Sequence, residues 1–258
     1  MNQMQSPPLV AEACADGVLT LSLGAAPAHP LSRAMIEALD GALAKAAADE
    51  DVRVVLIHGA GRIFCAGHDL KEIARHRGDA DHGTAFLTDL FEACSAMMLR
   101  LARLPKPTIA ACEGIATAAG LQLLASCDIA IVGPSATFCL PGIKNGGFCT
   151  TPAVAVSRGV GQKALMELML TGEALDADWA LRTGLITRVE VDPLAKAQAM
   201  AATLATRNPG PVAAGKAALH AHLGTPLEEA YAIATPVMVS HFLDKGRLKA
   251  EGEDGRWR

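Results

Sequence analysis

The sequence predicts an α/β fold with a layered core. Three continuous apolar runs, VRVVLIHG (52–59), PKPTIAAC (105–112) and DIAIV (128–132), indicate strands that are buried on both faces. Each run is followed by a loop or turn and then by further structure, and the repeated strand–loop–helix alternation favours a sheet covered by helices. The chain has 258 residues and is 51% hydrophobic, which is enough for one large core.

Residues 9–23 predict a β-hairpin, because Asp16-Gly17 is a typical turn pair between two strand-like segments. A helix is predicted over about 31–48, with Ser32 near its start. The next predicted elements, in order, are the strand 52–59, the loop AGRIFCAGHDL, a short polar helix KEIARHR, a long helix at 84–104, the strand 105–112, a short helix in AAGLQLLASCDIA, the strand 128–132 and an extended segment at 136–142.

From about residue 151 the chain is predicted to be mainly helical. The helices are expected at 161–170, 176–183, 194–207, 212–223 and 226–243. A linker near 189–193 divides the chain into a core, residues 1–192, and a helical C-terminal region, residues 193–258. The tail LDKGRLKAEGEDGRWR is charged and interrupted by glycine, so no packed helix is predicted beyond about 243.

Composition argues against several classes of function. The formal net charge of −4 disfavours binding to nucleic acid. No stretch approaches the ~18 apolar residues of a membrane span, and the N-terminus lacks a signal-peptide pattern. Seven cysteines without a C-x-x-C pair predict reduced thiols, no metal site and a cytoplasmic location. The sequence also lacks G-x-S-x-G, Walker A and G-x-G-x-x-G motifs.

Two stretches share a design that suits an anion. FCAGHDLKE (64–72) and GIATAAGLQLL (114–124) each place small residues between a buried strand and the start of a helix. Free N–H groups at a helix N-terminus favour negative charge, and two such donors on one oxygen form an oxyanion hole. Read alone, either stretch is also compatible with simple tight packing.

Five segments in order, FCAGHDLKE, PKPTIAACEG, AAGLQLLASCDIA, ATFCLPG and LTGEALDADWALRTGLITRVE, resemble the crotonase, or enoyl-CoA hydratase/isomerase, superfamily. The resemblance covers roughly residues 9–215 and is closest to a branch that shares AGHDL, a glutamine in the second turn and a PG pair. It implies a ClpP-like spiral of ββα units with a helical C-terminal trimerisation region. It also implies a homotrimer or a dimer of trimers.

The resemblance further implies a fatty acyl-CoA ligand, with coenzyme A present only as part of the substrate and no separate cofactor. The thioester oxygen would be held by the backbone N–H groups of His68 and Ala119. The other residues implied in substrate binding are Ala66, Gly67, Asp69, Leu70, Lys71, Ala118 and Gly120. Lys71, Arg75 and Arg77 are candidate partners of the CoA phosphates, or else a solvated helix face.

Both carboxylates that hold and split water in hydratases of this family are missing. Gln122 stands at the first position and Gly142, after Pro141, at the second. An amide orients water but is no general base, and loss of one acid–base group commonly costs about 10²- to 10⁴-fold in rate. Cys139, Cys149, Glu113 and the His68 ring are weak substitutes, and buried structural thiols are the simpler interpretation of the cysteines.

Three functional hypotheses follow. The first is an acyl-CoA-binding enzyme, nominally a trans-2-enoyl-CoA hydratase. An isomerase, decarboxylase or thioesterase would use the same oxyanion hole and is included in this hypothesis. The second is a non-catalytic acyl-CoA-binding pseudoenzyme. The third, RNA binding, is disfavoured by the acidic net charge and by the lack of a dense basic helix.

Overall fold

The computed structural model describes residues 7–250, and the core of this part is built on two sheets. The larger sheet has the order β1-β2-β3-β5-β7-β10 and the smaller has the order β4-β6-β8-β9. The strands are β1 Val10–Ala15, β2 Val18–Leu23, β3 Val54–Gly59, β4 Ile63–Cys65, β5 Thr108–Cys112, β6 Ile115–Thr117, β7 Ile129–Val132, β8 Thr137–Cys139, β9 Leu175–Asp176 and β10 Arg188–Val189. The helices are α1 Arg33–Ala48, α2 Leu70–His76, α3 Thr84–Ala102, α4 Ala119–Ala125, α5 Thr150–Val156, α6 Gln162–Thr171, α7 Ala177–Thr183, α8 Pro193–Ala205, α9 Pro209–His222, α10 Leu227–Phe242 and α11 Lys245–Ala250.

A ββα unit repeats three times along the chain and produces a spiral. In each unit a long strand (β3, β5 or β7) joins the large sheet and the next short strand (β4, β6 or β8) joins the small sheet. One or two helices then return the chain to the start of the next unit, so the repeated strands are parallel within each sheet. The predicted α/β class and the predicted spiral of ββα units are confirmed.

The N-terminal hairpin and the first helix follow from local signals. Asp16 and Gly17 both have positive φ, 49° and 78°, which is the backbone that a two-residue hairpin turn requires. The Ser32 hydroxyl accepts a hydrogen bond from the Met35 N–H and caps α1. The turn and the helix start were therefore predicted correctly from the sequence.

The large sheet is buried on both faces. On one face α8 packs against it, with Ala197 and Ala201 in contact with a cluster that includes Val54, Leu56 and Ile109. The other face carries the main core, which α1 and α3 cover. Because α8 is packed directly on the sheet, the helix at the start of the predicted C-terminal region shares a core with residues of the first part. The division at residue 192 stays a prediction.

Two local predictions were wrong. Segments 63–65 and 115–117 were expected to be loop or turn but form β4 and β6, since three residues are too short to give a recognisable strand pattern. The predicted linker near 189–193 overlaps the end of β10 and the start of α8, with 190–192 between them. The chain after 243 forms a short helix, α11, whose start is capped by Asp244 at the Arg247 N–H, and its residues 245–249 are exposed or half-buried rather than packed. Residues 251–258 lie outside the described residues.

Candidate active site

The three short parallel strands of the small sheet end side by side. Ile63 of β4 pairs with Ile115 of β6, and Cys139, the last residue of β8, pairs with Thr117. Because the strands run in parallel, the segments that follow them leave the same edge of the sheet. The turn 66–68, the turn 118–120 and the segment 140–142 are therefore neighbours in space, although they are far apart in sequence.

The first two turns touch at Gly67. This residue has φ +84°, and a Cβ added to it would lie 3.0 Å from the Ala118 Cβ and 3.1 Å from the Ala119 nitrogen. The Gly67 carbonyl accepts a hydrogen bond from the Leu31 N–H at 2.8 Å, which fixes the turn against the chain before α1. Only glycine satisfies both the left-handed backbone and the close approach.

The second turn is strained and held from two sides. Ala118 has φ 51° and ψ −123°, a conformation that residues with a side chain rarely adopt. Its N–H donates to the Cys139 carbonyl at 3.0 Å, which ties the turn to the end of β8. A Cβ at Gly120 would lie 2.1 Å from the Cys65 carbonyl oxygen, so glycine is required where α4 passes β4.

Two main-chain donors remain free at this junction. Across residues 7–250 no acceptor satisfies the N–H of His68 or the N–H of Ala119. Ala119 is also the first residue of α4, where the helix dipole and the unpaired N–H groups favour negative charge. A backbone N–H next to tight packing normally has a partner, so both N–H groups are available to an acceptor from outside the chain.

The His68 side chain is held away from solvent. Its Nδ1 lies 3.3 Å from the Leu31 carbonyl, and its ring meets the Phe91 ring edge-on at 5.0 Å between centroids. Burial lowers the pKa of His68, so the imidazole is neutral at pH 7. Its Nε2 is buried and has no hydrogen-bond partner among residues 7–250.

Gln122 lies one helical turn after Ala119 and is only 4% exposed. Its Oε1 is buried and has no donor within the described part of the chain. A buried amide oxygen without a donor costs free energy, on the order of 1–3 kcal/mol. A bound water or ligand that donates to this oxygen would remove that cost.

Gly142 is packed against Cys149. The Gly142 N–H donates to the Cys149 Sγ at 3.3 Å, and a Cβ at Gly142 would lie 2.9 Å from that sulfur and 3.0 Å from the Cys149 nitrogen. The thiol thus fills the space that a side chain at position 142 would need. Burial raises the pKa of Cys149, which makes it a poor general base at neutral pH.

The remaining predicted binding residues surround these turns. The Asp69 side chain has a structural role. Its carboxylate accepts hydrogen bonds from the N–H groups of Lys71 and Glu72 and so caps α2. Leu70 is 71% exposed, and two further large apolar side chains beyond the β8 end, Ile143 and Phe148, are 41% and 43% exposed. These three exposed apolar side chains belong to segments that follow the ends of the short strands β4 and β8.

Two cavities lie elsewhere on the molecule. One of about 440 Å³ is lined by Arg53, Lys106 and Arg207, and another of about 800 Å³ by Arg62, Glu113 and other residues. Neither includes the two free donors. At the second cavity the buried His58 Nε2 is 3.6 Å from the Glu113 carboxylate, a pair that sequence reasoning missed. The histidine at the end of the apolar run VRVVLIHG was the available signal.

None of the helices in the described part of the chain is long and apolar enough to cross a membrane.

Comparisons with known proteins agree with this architecture. Residues 15–255 match the family model described as enoyl-CoA hydratase/isomerase. The rat protein named enoyl-CoA hydratase domain-containing protein 3, mitochondrial, is 38% identical over 229 residues, which cover 88% of this chain and 73% of the relative.

Two solved structures extend the likeness to the fold. An enoyl-CoA hydratase/isomerase family protein from Silicibacter pomeroyi is 60% identical, with a TM-score of 0.87 over 91% of this chain and 100% of that chain. Human enoyl coenzyme A hydratase domain-containing protein 3 is 33% identical, with a TM-score of 0.86 over 92% of this chain and 93% of that chain. The chain therefore belongs to the enoyl-CoA hydratase/isomerase, or crotonase, superfamily, in the branch of the proteins called enoyl-CoA hydratase domain-containing protein 3.

Proposed function

We propose that this protein binds fatty acyl-CoA thioesters and polarises the thioester carbonyl with the N–H groups of His68 and Ala119. The observation that carries the proposal is the pair of unsatisfied N–H groups on two turns in direct contact at Gly67. Each such donor is typically worth about 2.7–4 kcal/mol to an oxyanion. The exposed Leu70, Ile143 and Phe148 supply apolar contacts for the acyl or pantetheine chain.

The nominal reaction is hydration of a trans-2-enoyl-CoA, but the site favours binding over fast hydration. Neither Gln122 nor Gly142 carries a carboxylate, and burial raises the pKa of the Cys149 thiol that packs against Gly142. None of these three residues therefore supplies a strong general base at neutral pH. A non-catalytic acyl-CoA-binding role is the second candidate, and an isomerase, decarboxylase or thioesterase remains compatible with the same two donors.

Binding is tested by calorimetry with saturated acyl-CoA esters of increasing chain length. We expect Gly67→Ala to weaken binding at least about tenfold, because the new methyl group lies 3.1 Å from the Ala119 nitrogen. Gly61→Ala is the matched control, since Gly61 also has positive φ, +86°, but a Cβ there meets nothing within 4 Å. Equal affinities for the two variants would contradict the proposed oxyanion hole.

Catalysis is tested by the loss of enoyl-thioester absorbance with trans-2-enoyl-CoA esters. We expect the unmodified protein to be slow and Gln122→Glu, which changes one amide into a carboxylate of the same shape, to gain turnover. Gln122→Met, which fills similar volume without a base, is the control. Hydration by the unmodified protein at ordinary enzyme rates, with a kcat of about 1–10³ s⁻¹, would overturn the proposed loss of this chemistry.

We also propose that the chain assembles through its last helices, as a homotrimer or a dimer of trimers. In the described residues of α9 and α10 no side chain is buried, and apolar groups such as Leu223, Tyr231 and Phe242 are 64%, 66% and 51% exposed. Such a surface is typical of a subunit contact. Sedimentation equilibrium should give a mass at least three times 26.7 kDa, and a monomer at micromolar concentration would contradict the proposal.

A cytoplasmic location stays part of the proposal and rests on the thiol-rich composition alone. The rat relative carries the word mitochondrial in its name. Fractionation of cells that express the chain with its natural N-terminus separates the two compartments, and recovery in an organelle fraction would overturn the prediction.

A further inference from the structure

The cavity of about 440 Å³ lies beside the amino ends of two strands of the large sheet. Its wall includes Val52, just before β3, and Pro107, just before β5, together with the end of α1, the end of α8 and the start of α9. The candidate active site instead follows the carboxyl ends of the short strands β4, β6 and β8. The two regions share no residue, and the volume lies in the range of about 300–1,000 Å³ that is usual for ligand pockets.

Three cationic side chains line this cavity without a carboxylate partner. They belong to Arg53, Lys106 and Arg207, and no ion pair in the described part of the chain includes any of them. The carboxylates of Asp49 and Glu50 also line the cavity, so the three cations leave an excess of one positive charge. Burial lowers the pKa of Lys106, because its ammonium group is partly withheld from water. The cavity therefore favours an anion.

Main-chain carbonyl groups hold two of these cations in place. The Lys106 ammonium donates to the carbonyl oxygens of Ala46 and Asp49 at the end of α1, and the Arg53 guanidinium donates to the Arg207 carbonyl at 2.8 Å. Neither contact uses every N–H of its group, and the remaining N–H groups have no acceptor among residues 7–250. Donors that are positioned before an anion arrives lose less side-chain entropy when it binds.

Much of the remaining wall is apolar. Val52 is buried at 3% exposure, and Leu204, Val212 and Ala213 are half-buried. An inorganic anion would leave these apolar side chains in contact with water, whereas an aliphatic chain would remove them from it, which is favourable. A ligand that joins one negative charge to an aliphatic chain therefore matches both parts of the wall.

We propose that this cavity is a second ligand site, which binds the carboxylate of an aliphatic carboxylic acid. The carboxylate lies among Arg53, Lys106 and Arg207, since two oxygens in one plane suit the planar guanidinium group. The aliphatic chain covers the apolar part of the wall formed by Val52 and Val212. The site goes beyond the proposed function, because it uses neither of the two main-chain N–H groups proposed to hold a thioester.

Calorimetry of the full chain with octanoate tests the proposal, with 1-octanol and inorganic phosphate as controls that each lack one half of the ligand. We expect one octanoate per chain, bound at least about tenfold more tightly than either control. Arg207→Glu should weaken binding at least about fivefold, because repulsion replaces attraction. Arg182→Glu is the matched control, since Arg182 is also exposed near the end of a helix but lies outside the cavity.

Val212→Trp, which fills the cavity with a larger side chain, should abolish octanoate binding, and thermal unfolding checks that each variant is folded. Equal octanoate affinities of Arg207→Glu and Arg182→Glu would overturn the inference, as would 1-octanol or phosphate binding as tightly as octanoate. Loss of octanoate binding in Gly67→Ala would assign octanoate to the candidate active site and would also overturn it. Failure of acyl-CoA esters to bind, with octanoate still bound, would overturn the proposed function alone.

Discussion

At the scale of single residues, positions 122 and 142 differ in how easily a glutamate can replace Gln122 or Gly142. Gln122→Glu keeps the side-chain shape in its buried position, whereas a Cβ at Gly142 already approaches the Cys149 sulfur to 2.9 Å and the Phe148 carbonyl carbon to 3.1 Å. The segment 141–149 has therefore closed over the second position. A carboxylate at position 142 would therefore require a change in packing as well as in chemistry.

We expect Gly142→Glu to destabilise the protein by about 1–3 kcal/mol, as overpacking commonly does. Gly147→Glu is the matched control in the same segment, because a Cβ there meets nothing nearer than 3.8 Å. Thermal unfolding of both variants measures the difference. Equal transition temperatures would show that the segment 141–149 moves aside at no cost.

At the scale of elements, α2 depends on its cap. The helix has no buried residue, and the Asp69 carboxylate accepts from two of its first N–H groups at 2.9 and 3.2 Å. A short exposed helix gains little from packing, so the cap contributes a large share of its stability.

We expect Asp69→Ala to cost about 0.5–2 kcal/mol of local helix stability. Amide hydrogen exchange over Leu70–His76 should accelerate accordingly, while Asp69→Asn, which retains a capping oxygen, should change it much less. Since the proposed ligand contacts Leu70 and Lys71, acyl-CoA affinity should follow the same order. Unchanged exchange in Asp69→Ala would show that α2 is held by other contacts.

At the scale of the whole molecule, the buried His58 and the half-buried His68 give stability a pH dependence. Burial lowers the pKa of His58 and of His68 below the usual 6.5. Between the lowered pKa and 6.5 the unfolded chain binds more protons than the folded one. The contribution of these groups is therefore complete above pH 6.5 and is lost as the pH falls through the window below it.

We expect the free energy of unfolding to fall between pH 7 and pH 5.5, and the fall to be shallower in His58→Asn. His82→Asn, at an exposed position, is the control and should keep the full slope. Urea unfolding at several pH values measures these slopes. A slope in His58→Asn as steep as that of the unmodified protein would show that His58 does not carry the effect.

The long buried strands, the hairpin turn and the start of α1 could be predicted from the sequence, while the short strands and the packing around Gly142 could not. Apolar runs of the length of β3 and β5 identify strands buried on both faces, because water contact would force alternation. The three-residue strands β4 and β6 carry no such signal, although they bring the two turns together. The contact between Gly142 and Cys149 spans seven residues of irregular chain and depends on packing that only the folded structure defines.

The proposed carbonyl contacts come from the main chain, and this has a consequence for how the protein can evolve. A side-chain mutation at His68 or Ala119 cannot delete an N–H unless it introduces proline. Mutations at surrounding positions can therefore remove or replace the side chains that act as acid, base or nucleophile, while the protein keeps its affinity for a thioester. A library of variants at Gln122, Gly142 and Cys149 would sample new reactions. In each variant the main-chain N–H groups of His68 and Ala119 proposed to hold the carbonyl would be retained.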